Sequence, residues 1–221
     1  SRWGRFDAYG TASRFHENYL TDGLAMPNVL QVYSGQTVAL PPEVLVIGFA
    51  EGNHSPNGCG HLDTHLRCTF ALSTPFILGG VAPTLTELTP ERRSRYLRYA
   101  TIYKTFIRPL LATCRMYHHA PVHGRGGVTS SEWFAVEFAS PDRAKGWAVI
   151  VRLGIGDSDT LVFRARGLDP ARRYAVTFDS LDATPELDGL QLMRDGLPIR
   201  LESVLSSELL LFEGKPILDV E

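Results

Sequence analysis

Cysteine is scarce: Cys59, Cys68 and Cys114 are the three in 221 residues. Three thiols do not make a disulfide framework, so a reducing compartment such as the cytoplasm is the preferred setting. An excess of charge of one sign is also lacking. The net charge is -2, which gives no electrostatic footprint for nucleic acid or an anionic membrane. No apolar run approaches the ~20 residues that a bilayer span needs. There is no Gly-x-Ser-x-Gly nucleophile elbow and no glycine loop of the phosphate-cradling kind, which removes two common catalytic readings. Internal repeats and low-complexity tracts are missing. So are an initiating methionine and a signal-peptide layout. With Trp3 and Phe6 so near its start, the chain reads as a segment cut from a larger folded protein.

What is present belongs to an ordinary globular protein. The hydrophobic fraction is 44% and the charged fraction 21%, and the length suits one or two domains. Ser13 to Leu24 offers a helix capped by Ser13 and ended by Gly23. Pro27 and Asn28 then read as a break, Val29 to Tyr33 as a short apolar run, and Ser34-Gly35-Gln36 as a turn. The central stretch, Leu40 to Cys114, organises the rest. Val44, Leu45, Val46, Ile47 and Phe49 form the near-continuous apolar run of a strand buried on both faces, as in a parallel sheet. The polar loop AEGNHSPNGCG follows it, which is how functional groups reach the carboxyl end of a barrel strand. Spacing predicts a helix from Asp63 to Ser73, then a short apolar strand or turn, PFILGG. Thr89 as N-cap, Pro90 at the first position and Glu91 in the first turn open the clearest helix, which should kink or stop near Arg108 ahead of Pro109.

Beyond residue 115 the period changes to two. Glu132–Ala139, Gly146–Leu153, Leu161–Arg166, Tyr174–Phe178, LQLM, LPIRL and SSELLLFE read as short strands separated by turns, an antiparallel sandwich. The fold class is therefore α/β followed by all-β. Residues 1–114 are read as the C-terminal portion of a (β/α)8 barrel and residues 115–221 as an antiparallel β-sandwich.

Three sets of side chains bear on chemistry. Cys59, His61, His65 and Cys68 have zinc-ligand types, but lack the usual Cys-x-x-Cys or His-Glu-x-x-His pairing. The competing reading is one buried cysteine, one loop cysteine and two polar histidines. His118, His119 and His123 stand at the domain junction, as a metal or titrating group or as helix-end and loop residues. Carboxylates in the first half are Asp7, Glu17, Asp22, Glu43, Glu51, Asp63 and Glu87. Glycoside hydrolysis needs two such groups flanking one bond, and Glu51 stands out because it follows the buried strand.

Three stretches together resemble the family 36 glycoside hydrolases, the retaining α-galactosidases and their relatives. In the first, Trp3 to Arg14, Asp7 and Arg14 have the seven-residue separation of that family's acid aspartate and arginine, with Phe6 in place of the serine. The second is Leu40-Pro-Pro-Glu-Val44 with the Gly48 to His54 loop. The third and most specific runs from Leu85-Thr-Glu-Leu-Thr-Pro-Glu-Arg through Tyr103-Lys-Thr-Phe-Ile-Arg-Pro109. Trp133, Phe138-Ala-Ser-Pro-Asp142, Arg166-Gly-Leu-Asp-Pro170, Tyr174, Leu192-Met193 and Gly196-Leu-Pro198 continue it.

The resemblance is to the last part of such enzymes. It implies a barrel ending near residue 113, a C-terminal β domain and a nucleophilic aspartate upstream of Ser1. It implies Asp7 as general acid/base, with Trp3, Arg14, Glu51, Gly52 and His54 as sugar-pocket neighbours. An oligosaccharide or other glycoside is the implied substrate. Cofactor, metal, nucleic acid and membrane are not called for, and a homo-oligomer is left open. The main alternative is a non-catalytic carbohydrate-binding or packing module, with Trp133, Trp147 and Tyr174 as candidates for sugar stacking. A zinc protein is the third reading.

Overall fold

A computed structural model describes residues 18–19, 26–48, 62–72, 76–77, 89–120, 124–125, 128–129, 131–156, 158–181 and 183–215. The chain divides into two compact units between Ala112 and Thr113, with residues 124–125 and 128–129 falling in the first.

The first unit alternates strand and helix. In order come β1 (Asn18–Tyr19), α1 (Met26–Gln36), β2 (Leu45–Gly48), α2 (Leu62–Ala71), β3 (Phe76–Ile77) and α3 (Pro90–Ile102). β1 and β3 both pair with β2, and both pairs are parallel. Strand order thus equals chain order, the result of βα units wound in one direction. The sequence reading missed α1. Pro27 opens that helix rather than breaking the chain, because a proline in the first turn removes an N–H that has no intrahelical acceptor anyway. Its Met26, Val29, Leu30 and Tyr33 are buried at helical spacing. The Tyr33 hydroxyl donates to the Leu72 carbonyl at 2.5 Å, tying α1 to the end of α2.

α2 forms where spacing predicts it, and every residue from Thr64 to Ala71 is buried. α3 opens as read: Thr89 Oγ1 accepts the Arg92 N–H at 3.3 Å, with Pro90 in the first turn. At Pro109 the helix neither stops nor ends. It passes into a π turn over Tyr103–Ile107, where the Arg108 N–H donates to the Tyr103 carbonyl, and continues as α4 (Arg108–Leu111). The extra residue in the turn lets the chain pass a proline that lacks the N–H of a regular ladder.

The second unit is mostly antiparallel sheet. Its strands are β4 (Arg115–Ala120), β7 (Trp133–Ala139), β8 (Lys145–Arg152), β9 (Thr160–Phe163), β10 (Arg173–Phe178), β11 (Glu186–Asp188), β12 (Leu197–Arg200) and β13 (Ser207–Gly214). The pair β5 (Gly124–Arg125) and β6 (Val128–Thr129) belongs to the first unit. Six strands form one sheet in the order β11-β10-β13-β8-β7-β4, and β12 with β9 makes a separate ribbon. The second layer is therefore smaller than a full facing sheet. LQLM, read as a strand, lies in a short helix, α5 (Gly189–Arg194). Core residues come from the sheet (Ala135, Ile150, Val176, Phe212), the ribbon (Phe163, Ile199) and α5 (Leu192). Phe163 and Phe212 stack with centroids 6.3 Å apart.

The central strands are buried on both faces. Ala135, Ala148 and Ile150 lie in the core shared with the ribbon. Phe134, Val136, Phe138, Trp147, Val149 and Val151, which alternate with them, are fully buried too. Phe138 and Trp147 are paired across β7 and β8 and stack at 4.6 Å.

Tyr174 fastens two loops from within this unit. Its hydroxyl donates to the Arg143 carbonyl at 2.6 Å and accepts the Asp169 N–H at 2.8 Å. Burial, above all, holds its hydroxyl above the ordinary value of 10.0. A folded value raised above the unfolded one means stability that is complete below the unfolded pKa and is lost as pH rises through the folded one. Urea titrations should therefore show the protein weakening above pH ~10, with Tyr174→Phe less stable at neutral pH by ~1–3 kcal/mol and flatter in the alkaline range. A second pair of variants tests packing. A Cβ on Gly167 would lie 2.5 Å from the Ala139 Cβ and 2.7 Å from Tyr117 Cε2, so Gly167→Ala should cost ~1–3 kcal/mol. Gly35, exposed near the end of α1, has nothing within 4 Å of such an atom, so Gly35→Ala should stabilise by ~0.5–1 kcal/mol.

Candidate functional site

The residues called as catalytic or sugar-binding, Trp3, Asp7, Arg14, Glu51, Gly52 and His54, all lie outside the described residues. So do Glu17, Asp22 and Glu87 among the carboxylates, Cys59 and His61 of the zinc reading, and His123. What the structure describes in the first unit is the set of parallel strands. β1, β2 and β3 are parallel, so their carboxyl ends share one edge, the edge at which α/β folds place their ligands. Glu51, Gly52 and His54 follow β2 in sequence. Asp63 is a structural carboxylate: its Oδ2 lies 3.3 Å from Arg95 Nη1, joining α2 to α3. Arg95 also reaches Glu91 one turn earlier, at 3.0 Å.

His65 and Cys68 are both buried in α2. Among the described residues no group of three or more metal-ligating side chains converges.

Two of the junction histidines, His118 and His119, are strand residues of β4 rather than helix caps. The register of β4 on β7 shifts between His118 and Ala120, and a bulge of this kind re-aims a side chain. It brings His119 Nε2 to 2.8 Å from Oε2 of Glu137, whose side chain is completely buried. Two backbone N–H groups complete the arrangement: that of Arg166 donates to Oε2 and that of Gly167 to Oε1, each at 2.8 Å. The His119 ring also packs on Phe163 at 4.7 Å. Outside the clasp, the Arg166 guanidinium lies 5.8 Å over the Tyr117 ring and donates to the His118 carbonyl at 3.2 Å. That contact occupies part of the sheet's edge strand.

Glu137 is not among the carboxylates singled out from the sequence, all of which lie in the first half of the chain. The signal was a lone acid in the middle of Trp133-Phe-Ala-Val-Glu-Phe-Ala139. A buried carboxylate needs donors supplied by the fold, and here they come from the Arg166-Gly167 loop. Such a group fixes geometry; with its oxygens engaged by three donors, it is a clasp rather than an acid in a cleft.

The stacking candidates are core residues. Trp147 and Tyr174 are fully buried, and Trp133 packs partly buried against the core.

No protein-family model matches the chain, and no curated protein does. Solved structures do. The galactosidase domain of an α-galactosidase-sucrose kinase superposes with a TM-score of 0.68 at 17% identity, over 88% of this chain and 25% of its own. A family 36 α-galactosidase from Geobacillus stearothermophilus gives 0.66 at 19% identity, again over 88% and 25%. The α-galactosidase from Lactobacillus brevis gives 0.64 at 16%, over 85% and 24%. The fold is that of part of a family 36 α-galactosidase. The chain spans about a quarter of the length of these structures, so the likeness is to a portion of a glycoside hydrolase.

The clasp has a direct test. An amide at position 137 must set one N–H against a backbone donor, so Glu137→Gln should destabilise by ~1–3 kcal/mol although its shape is nearly unchanged. Denaturation of Glu137→Gln, His119→Ala and the double variant should show coupling. Strict additivity of the two losses would show that the contact carries no energy.

Proposed function

We propose that the chain is the C-terminal portion of a retaining glycoside hydrolase of the α-galactosidase kind, acting on O-glycosidic bonds. In this reading the first unit closes a (β/α)8 barrel and the second is the β domain that follows it. The observation that carries the reading is the order of parts. Parallel strands in chain order, separated by helices, lead through a long helix into an antiparallel unit. The fold likeness to family 36 α-galactosidases spans both. The Geobacillus enzyme has been solved, as variants, with raffinose and with stachyose. An α-galactoside is accordingly the substrate class we assign to the parent.

The proposed chemistry is double displacement. Asp7 protonates the leaving glycosidic oxygen while a second carboxylate, outside this chain, attacks the anomeric carbon. Water then enters on the same face, and Asp7 accepts its proton. Trp3, Arg14, Glu51, Gly52 and His54 are proposed to line the sugar pocket. The reaction needs no cofactor. Burial of Trp147 and Tyr174 favours a packing role for the second unit over a sugar-stacking one.

The parent enzyme should release nitrophenol from a nitrophenyl α-galactoside; a parent without glycosidase activity would overturn the assignment. The 221-residue chain alone should be inert, and turnover by it would show that both carboxylates lie within it. In the parent, Asp7→Asn should lower kcat by ~10²–10⁴ on substrates with poor leaving groups, and an unchanged rate would remove Asp7 from the mechanism.

A further inference from the structure

The edge strand β4 and its neighbour β7 are antiparallel, and their pairing ends with Ala120 beside Ala135. Antiparallel neighbours are usually joined by about two to five residues. Here the chain takes residues 121–132 to turn from one strand to the other, and it does not stay with the sheet. Residues 122–131 group with the first unit, whereas 113–121 and 132–221 make up the second. The excursion is built as a hairpin. Its two strands pair Gly124 with Thr129 and Arg125 with Val128. Gly126 and Gly127 stand between them, and glycine is the residue that two-residue hairpin connections favour.

Within the first unit, β6 packs on α1. The burial of that helix shows why such a contact matters. Its apolar stripe is Met26, Val29, Leu30 and Tyr33, and the polar residues Ser34 and Gln36 are buried as well. At ~100° per residue, Ser34 and Gln36 lie ~80° to either side of Met26. Cover on α1 therefore reaches past the apolar stripe that a helix ordinarily turns to its core. The hairpin contributes to that cover from a segment that follows β4 in the chain. It also does so at small entropic cost. The pairing of β4 with β7 already holds the two ends of the excursion together, so little loop-closure entropy is left to lose when the hairpin docks.

We propose that residues 122–131 are a strap: the hairpin, held at both ends by the edge of the second unit's sheet, keeps α1 in place, and α1 loosens when the hairpin lifts away. Native-state hydrogen exchange of the full chain tests this. Replacing residues 124–129 by a Gly/Ser segment of equal length keeps the connection and removes the hairpin. The α1 amides should then exchange at least ~10-fold faster, while those of β8 and β13 stay as protected as before. The opposite change comes from Gly126→Asn, which puts the favoured Asn-Gly pair between Arg125 and Val128 and should slow α1 exchange ~2–5-fold. Unchanged α1 exchange in the Gly/Ser variant would overturn the strap. So would an equal loss of protection in β8 and β13, because the hairpin would then belong to the fold of the second unit. Where the Gly/Ser variant does not fold, Gly126→Asn decides, and α1 exchange no slower than in the wild type overturns the proposal.

Discussion

The second unit depends on one buried carboxylate. Glu137 sits in the middle of the sheet with no solvent contact, and a group of that kind is tolerable only when the fold brings donors to it. Those donors come from different parts of the chain: an imidazole from edge strand β4 and two amides from the loop after β9. Satisfying them sets the β4 bulge, the path of the Arg166-Gly167 loop and the close approach of Tyr117 and Ala139 to Gly167. Local steric and polar requirements therefore agree at one point, and neither can change alone.

A similar logic runs through the other loops. In the β7–β8 connection, Ser140 Oγ donates to Asp142 Oδ1 at 2.5 Å, and the same oxygen accepts the Ala144 N–H at 3.0 Å. These bonds, the serine's first, hold the Asp142 carboxyl below its ordinary value. Arg143 takes a φ of +57° in that turn, and its carbonyl is the one that Tyr174 claims. Asp169 ends the Arg166-Gly-Leu-Asp-Pro170 segment by accepting the Ala171 N–H at 3.0 Å while giving its own N–H to Tyr174. Gly196, at a φ of +80°, lets the chain leave α5 and enter β12 where a Cβ would meet the Phe163 carbonyl at 2.7 Å.

Much of this was legible in the sequence, for identifiable reasons. β7, β8 and β13 are legible as short apolar runs bounded by turn residues, and β10 by the alternation of Tyr174 and Val176 with its outward positions. Thr89-Pro90 marks the start of α3 because capping is a local matter. Long-range consequences were not legible. Pro27 and Pro109 both read as breaks, yet one opens a helix and the other is absorbed by a π turn, since the fate of a proline depends on whether its neighbours can reroute one hydrogen bond. LQLM has the composition of a strand, and packing of Leu192 on the core makes it a helix. Glu137 looked like an ordinary polar position because its partners are 18 to 30 residues away.

Within the second unit, the residues that carry the family resemblance are largely joints. Phe138 to Asp142, Arg166 to Pro170, Tyr174 and Gly196 each stack, cap, turn or clasp. Such residues report how a chain folds and say little about which sugar an enzyme cleaves. This explains how one chain can share a fold with α-galactosidases at only 16–19% identity: the joints fix the fold and leave the remaining positions free to differ.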